Sequence, residues 1–504
     1  MADHDWLNSR KIIERIIVEG SLVLEKPAHF GNGDVDELID MPLLLDDEGN
    51  PLLTGSSIAG ALRSYLRDWE LGYSKGFDLE RERKTLAVYL FGGARGDDEE
   101  GSQSPLIVDD ARGEMQGIEL RDGVKIDPRS RTAEDKHKFD IELLEAGTRF
   151  QLRFELLVSE EVDPDRLLCA LALALGGLER GEVALGKRKS RGYGRCRVRE
   201  WKVTRYNLEE KDHLLAWLAA ERDWDDKPTV EAEKGGKIAS RLGVAGKLEA
   251  EEFRDHRRVF KLDAEFRLDD SLLIRSGAGP EEGPLPDAIH LHSRQVGAKP
   301  GDPREPVLPG TSLAGALRHR ALRIAKTLAG EGGKARQLVE GMFGPERKDQ
   351  DDEVSLKASR VIIEETPISG GNLLVQNRIR IDRFTGGAYE GALFNEAPIF
   401  KGADSRVRLE LTLRDPKEHE IGLLLLLLKD LWTADLPVGG ESSVGRGRLE
   451  GQEARLELRA VDDSKGWEIT QDEGKLTVSG AGAREQLEEY VEALVRWAGS
   501  EVEV

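Results

Sequence analysis

The sequence predicts an α+β chain of two tandem ferredoxin-like (RRM-like) domains, and three observations carry that expectation. First, the stretch Pro51-Leu52-Leu53-Thr54-Gly55-Ser56-Ser57-Ile58-Ala59-Gly60-Ala61-Leu62-Arg63 returns as Pro306-Val307-Leu308-Pro309-Gly310-Thr311-Ser312-Leu313-Ala314-Gly315-Ala316-Leu317-Arg318, with Gly55 and Gly310 310 − 55 = 255 positions apart. Second, three more landmarks recur in order: Phe91 with Phe343, Asp127 with Asp382 and Gly192 with Gly445, at offsets of 252, 255 and 253. Four landmarks in one order at nearly one spacing are a duplication signature. Third, each copy arranges its apolar patterns as strand, helix, strand, strand, helix, strand, which is the ferredoxin-like order.

The elements follow from local pattern. Residues 11–24 are β-branched and alternate, which predicts a first strand. The duplicated stretch predicts a helix over about 57–70, since Ile58, Leu62, Leu66 and Trp69 recur at helical spacing and the preceding hydroxyls suit an N-cap. Leu90-Phe91-Gly92 reads as a helix stop. Phe150–Leu157 alternates as a strand, Asp163-Pro164 opens an Ala/Leu helix to about Leu178, and a last strand runs to about Val203. The order restarts with a strand at 259–268, a loop at 277–306 and a helix at 311–328. The expected domains are 1–206 and 258–452. Between them lies a charged connector, 207–257, and after them a C-terminal appendage, 453–504, ending in an amphipathic helix from Arg484 to Trp497.

At 504 residues the chain has room for several cores. Its formal net charge of −22, from 74 basic and 96 acidic residues, speaks against a uniformly basic surface but leaves room for a basic groove. Two cysteines, Cys169 and Cys196, exclude a disulfide framework and a cysteine-rich zinc site, and fit a reducing cytoplasm. No apolar segment follows Met1–Arg10, so no signal peptide is expected. The longest apolar run, Ile421–Leu428, is far short of the roughly 20 residues of a membrane span, so no membrane partner is expected either.

Three motifs carry chemistry. A glycine turn feeding a helix N-terminus is a phosphate cradle, which makes Gly55, Ser56, Ser57 and Arg63, and then Gly310, Thr311, Ser312 and Arg318, candidate RNA contacts; alternatively each is an ordinary capped helix. The segment Gly186-Lys187-Arg188-Lys189-Ser190-Arg191-Gly192-Tyr193-Gly194-Arg195 opens a run with seven basic residues and no acidic one between Lys187 and Arg199. That local reversal of sign, with exposed glycine N–H groups, suits a phosphodiester backbone, and alternatively makes a solvated hairpin. Its weaker counterpart keeps Gly445, Arg446 and Gly447. The loops around Asp127 and Asp382 carry Lys125, Arg129, Arg131, Arg378, Arg380 and Arg383, with apolar neighbours such as Phe384 able to wedge between bases.

This order of glycine–hydroxyl helix, Phe-Gly stop, Ile-Asp loop with a following Thr and glycine-rich hairpin resembles the RAMP (repeat-associated mysterious protein) superfamily of CRISPR systems. More specifically it is similar to the backbone subunits of type III effector complexes, here two copies in one chain, over about 11–205 and 259–452. The resemblance implies that each domain holds guide RNA on its palm while a thumb loop wedges into the guide–target duplex. It further implies a loop aspartate that cuts the paired target RNA with a divalent metal, Mg²⁺ or Mn²⁺. Leu38-Ile39-Asp40-Met41-Pro42-Leu43 matches that loop pattern and makes Asp40 the first candidate, also for metal contact. Leu285-Pro286-Asp287-Ala288 lacks the following proline but offers Asp287 in the second copy. Asp34 and Asp36 lie close to the first loop, and His29 and His290 are candidate acid–base or RNA-contacting groups nearby. The implied partners are CRISPR guide RNA, complementary target RNA, further backbone subunits, a small subunit and a polymerase-like large subunit. A non-catalytic scaffold of the same complex and a guide-processing endoribonuclease are the competing readings. An enzyme using the glycine turns for phosphate is disfavoured, because no Walker-type lysine follows either turn.

Overall fold

In the computed structural model, residues 11–500 are described apart from 32, 34–39, 74–77, 94–102, 128–132, 221–227, 277–285, 300, 346–356, 462, 473 and 481. The first domain runs β1 (Ile12–Leu24), α1 (Gly55–Leu71), α2 (Leu86–Phe91), β2 (Ile118–Ile126), β3 (Ala133–Leu144), β4 (Arg149–Ser159), α3 (Pro164–Arg180) and β5 (Cys196–Asn207). The second runs β6 (Val259–Leu268), α4 (Gly310–Ala329), α5 (Gly333–Phe343), β7 (Gln376–Ile381), β8 (Ala388–Ala397), β9 (Arg406–Arg414), α6 (Glu418–Trp432) and β10 (Leu449–Arg459). Three more elements follow: β11 (Ser464–Asp472), β12 (Lys475–Gly480) and α7 (Ala483–Gly499).

Each domain is the same antiparallel sheet with the first strand in the middle. β1 pairs with β4 and β5, β6 pairs with β9 and β10, and short strands at 106–108 and 361–363 occupy the same place beside β4 and β9. This is the expected ferredoxin-like order. Alternation on β4 sends Phe150, Leu152, Phe154 and Leu156 into a core that α3 covers with an almost continuous buried face, Leu167 to Leu178. Asp163 caps α3 by accepting from the N–H groups of Asp165 and Arg166, and Gly181 ends it at φ 68°. In the second core the apolar run of α6 buries Leu423, Leu424, Leu427 and Leu431. Among the described residues no helix is long and apolar enough to cross a membrane.

Four boundaries differ from expectation. Helix α1 starts at Gly55, and its cap is Thr54, whose hydroxyl accepts from Ser57 N–H, so the serines occupy the first turn instead of capping it. In α4 the cap position is Pro309, which has no side-chain acceptor. The stretch 207–257 is built into the first domain: Glu233–Lys234 pairs with β5, and Ile238, Leu242, Val244 and Phe253 join its core. The tail likewise continues the second sheet, because β11 pairs with β10 and β12 with β11. Helix α7 packs on α6 so closely that a Cβ on Gly422 would strike the Tyr490 carbonyl.

The two domains meet through side chains of the first domain's β2–β3 ribbon and glycine hairpin. Arg121 on β2 is buried between Glu119 of its own strand, at 2.5 Å, and Glu365 of the second domain, which it grips with two nitrogens. Glu119 also accepts from Ser293 at 2.8 Å, and Glu145 accepts from Arg294 at 2.7 Å and Arg304 at 2.8 Å. Arg195 reaches Glu410 at 3.2 Å. Burial pushes the Glu119 carboxyl upward, opposed chiefly by the Arg121 charge. Replacing Arg121 with alanine should therefore strand two buried carboxylates and cost about 3–5 kcal/mol. Denaturant unfolding of the full chain checks this, and a loss under about 1 kcal/mol would contradict the reading.

Candidate RNA interface and active loops

The glycine hairpin is shaped by backbone that few side chains tolerate. Gly186, Gly192 and Gly194 take φ of 88°, 86° and 77°, and Gly439, Gly445 and Gly447 repeat the pattern at 85°, 93° and 81°. Between them stand non-glycine residues in the same left-handed region, Arg188 at φ 57° and Glu441 at φ 58°. Such positions cost roughly 1 kcal/mol or more and persist only where the side chain is held. Arg188 lies over the Phe139 ring at 4.3 Å, and Glu441 is clamped by Arg275, Arg378 and Arg446.

The first hairpin's cations have two environments. Lys187 and Lys189 are exposed, whereas Arg188 and Arg191 are half-buried. Arg191 donates to the Phe343 carbonyl at 3.2 Å through one nitrogen. Its other terminal nitrogen is buried with no hydrogen-bond partner among the described residues. Burial, then the nearby Arg318 and Arg188 charges, pull the Arg191 guanidinium down to about 10, so it remains charged at neutral pH. Burial also lowers Arg188. The result is a cationic cluster (Arg188, Arg191 and Arg318) at the joint between the domains.

The two duplicated helix starts are used differently. Ser56 and Ser57 are exposed beside a cavity of about 310 Å³ lined by Gly55, Gly60, Arg63, Phe91 and Val108. Thr311 and Ser312 are partly covered, because the first domain's hairpin packs against α4. A Cβ on Gly310 would meet the Arg191 carbonyl at 2.5 Å. Arg63 and Arg318, expected on phosphates, instead donate to the carbonyls of Gly92 and Gly93 and of Gly344, tying each helix to its Phe-Gly stop. Arg446 is corrected in the same way. It is 2% exposed and pairs with Glu396 at 3.0 Å and Glu441 at 2.8 Å, so its charge is consumed inside the domain. Arg378 shares those two carboxylates.

The thumb regions are two-stranded ribbons. Lys125 lies on β2, while Arg129 and Arg131 fall outside the described residues, as do Asp34 and Asp36. On the second ribbon Arg380 stacks on Tyr389, and Arg383 sits over Phe384, which is 91% exposed. Asp382 is a turn-former: it accepts from the N–H groups of Phe384 and Thr385, which hold its carboxyl below the usual range.

Asp40 and Asp287 occupy equivalent places, which their loops alone left open. Asp40 accepts from Asp140 N–H at 2.9 Å, and Asp287 accepts from Asn395 N–H at 2.8 Å. Asp140 and Asn395 are equivalent by strand register: Met41 bridges Ile141, and Ala288 bridges Glu396, in parallel at both sites. Both carboxylates are thus fixed at the base of a thumb ribbon, on the exposed side. Asn395 adds a reciprocal bond, its side-chain oxygen accepting from Asp287 N–H at 2.8 Å. Asp40 has acidic company in Asp140, whose carboxyl is raised by desolvation, then by Asp122 and Asp40. Among the described residues no group of three or more His, Cys, Asp or Glu could hold a metal ion. The histidines are no surface groups. His29 and His290 are both fully buried, each bonded to backbone oxygens, Glu142 for His29 and Val307 for His290.

A family model described as the RAMP superfamily matches residues 21–197 and 297–450. The chain belongs to the RAMP superfamily. The first match runs from the end of β1 through the glycine hairpin at 186–194, and the second runs from ahead of α4 through the hairpin at 439–447, leaving β6 outside it. No curated protein matches the chain at a significant level.

Burial lowers the His290 imidazole to about 4 from an ordinary value of 6.5. The unfolded chain therefore binds the extra proton first as pH falls. The ring's contribution to stability is complete above about 6.5 and is lost progressively toward pH 4, by about 3 kcal/mol in all. Melting temperature should fall over that window, and His290→Gln should flatten the dependence while lowering stability at neutral pH. An unchanged slope in the variant would contradict the assignment.

Proposed function

We propose that this RAMP chain is a double backbone subunit of a type III CRISPR effector, holding guide RNA and cutting complementary target RNA. The observation that carries the guide-binding half is the cationic cluster at the joint, with a buried Arg191 nitrogen that no group among the described residues satisfies. An unmatched buried cation is costly, and a phosphate oxygen supplies the missing acceptor and the opposite charge together. The exposed Lys187 and Lys189 extend the same strip. An anionic outer surface is consistent with this, since net charge −22 does not locate a groove.

The cutting half rests on the equivalence of Asp40 and Asp287 at the two ribbon bases. There each carboxylate could orient a ribose 2′-hydroxyl for attack on the adjacent phosphate once a thumb distorts the duplex. Phe384 at the tip of the second ribbon is an apolar wedge of the kind that task needs. A divalent ion, Mg²⁺ or Mn²⁺, would arrive with the RNA and supply charge stabilisation at the cleaved phosphate. The scaffold-only reading is favoured by one observation, namely that both carboxylates already accept from a backbone N–H of the ribbon.

Two measurements separate these. Lys187→Ala with Lys189→Ala and Arg191→Ala should weaken single-stranded RNA binding at least tenfold and shrink the salt slope by about 0.7 for each phosphate left without its cation. Unchanged affinity and slope would sink guide binding. In a reconstituted guide complex, Asp40→Ala should erase one target-RNA product and Asp287→Ala another, each with affinity nearly intact. Full cleavage by the double variant would leave the scaffold reading.

A further inference from the structure

The two acidic loops hold their aspartates alike, but the ribbon residues beside those aspartates differ in charge. On the first ribbon Asp122 of β2 lies opposite Asp140 of β3, and Val124 lies opposite Lys138. On the second the same register sets Asn377 of β7 opposite Asn395 of β8, and Ile379 opposite Leu393. Asp40 therefore has the Asp140 carboxyl as a neighbour, with Asp122 against it. Lys138 reaches both acids, Asp122 at 3.4 Å and Asp140 at 3.8 Å. At the second loop an amide stands where each of those two carboxylates stood, and a leucine replaces the lysine. The next acid along β8, Glu396, is buried and paired with Arg378 and Arg446.

The backbone fixes which way the Asn395 amide points. Its oxygen accepts from Asp287 N–H at 2.8 Å, while its own main-chain N–H donates to one Asp287 oxygen at 2.8 Å. A main-chain N–H can only donate, so the side-chain atom facing it is the oxygen and the NH2 group is left over. That NH2 group and the second carboxylate oxygen of Asp287 have no hydrogen-bond partner among the described residues. Asp287 is exposed and Asn395 half-buried. A free acceptor and a free donor, tied to each other by two hydrogen bonds, thus belong to one site. A ribose 2′-hydroxyl needs the acceptor, and the phosphate it attacks needs the donor.

We infer that Asn395 donates its amide N–H to the scissile phosphate at the second loop, and that Asp140 in the same position makes the first loop the weaker cutter. The inference rests on the proposed cutting activity and adds to it a residue that touches the reacting group. As the 2′-oxygen attacks phosphorus its proton passes to Asp287, and the bond from phosphorus to the 5′-oxygen breaks. That oxygen takes a proton from water, and the hydroxide so formed takes back the proton on Asp287. The products are a 2′,3′-cyclic phosphate and a 5′-hydroxyl. Negative charge grows on the non-bridging phosphate oxygens in this step, where the amide N–H meets it. At the first loop the Asp140 carboxylate meets the same charge with its own sign, and Lys138 offsets only part of that repulsion.

Asn395→Asp keeps the oxygen that accepts from Asp287 N–H and replaces only the donor, whereas Asn395→Ala removes both. In a reconstituted guide complex under single-turnover conditions, Asn395→Asp should slow the Asp287-dependent product at least tenfold. The rate of the other product, target affinity and melting temperature should stay near wild type. Asn395→Ala should slow the same product at least as much. Asp140→Asn, whose main-chain N–H still holds Asp40, should quicken the Asp40-dependent product at least threefold. Asp287→Ala is measured beside them: if it leaves every product in place, the cutting activity itself is refuted, and the inference with it. If Asp287→Ala erases its product while Asn395→Asp cuts at the wild-type rate, Asn395 only tethers the loop and the inference alone is overturned. An Asp140→Asn chain no faster than wild type would overturn the assignment of the first loop as the weaker cutter.

Discussion

Arg121 lies between two carboxylates from different domains, away from water, and everything about the relation of the two halves depends on that contact. A buried guanidinium flanked by Glu119 and Glu365 contributes little net stability compared with an apolar core, yet it penalises every arrangement in which one partner is missing. Such a contact selects a geometry. Glu145 against two arginines and Arg195 against Glu410 repeat the principle along the same seam. Two sheets that could have been joined by a tether are instead locked in register.

That register gives the hairpin its second task. Packed against α4 it is a structural wedge, and packing brings the Arg188, Arg191 and Arg318 charges close together. The same contact that closes the joint thus concentrates positive charge in a chain that is acidic elsewhere.

Much of this was legible in the sequence, because duplication leaves its trace in glycine spacing. Gly55, Gly192, Gly310 and Gly445 recur since left-handed turns and close backbone approaches exclude side chains, and that constraint survives divergence. The paired aspartates were legible as loops but not as equivalents, since their distances to the following helix differ and only strand register aligns them. What the sequence could not reveal was the destination of each charge. Arg63, Arg318 and Arg446 read as phosphate ligands from type and spacing, but two of them close helix ends and one neutralises buried acids. His29 and His290 failed similarly, as their burial is set by strands far along the chain. The connector looked polar because its few core residues, Ile238, Leu242, Val244 and Phe253, are spaced irregularly among charges.

The strained residue in each hairpin is gripped by the ribbon that anchors an aspartate. Arg188 leans on Phe139, whose neighbour Asp140 holds Asp40, and Glu441 is clamped to Arg378 and Arg446, which share Glu396 beside the Asn395 that holds Asp287. Each domain therefore contains a short lever, with the hairpin as one arm, the ribbon base as fulcrum and the acidic loop as the other arm. A ligand on the hairpin would thus act one residue away from the backbone N–H that holds the carboxylate.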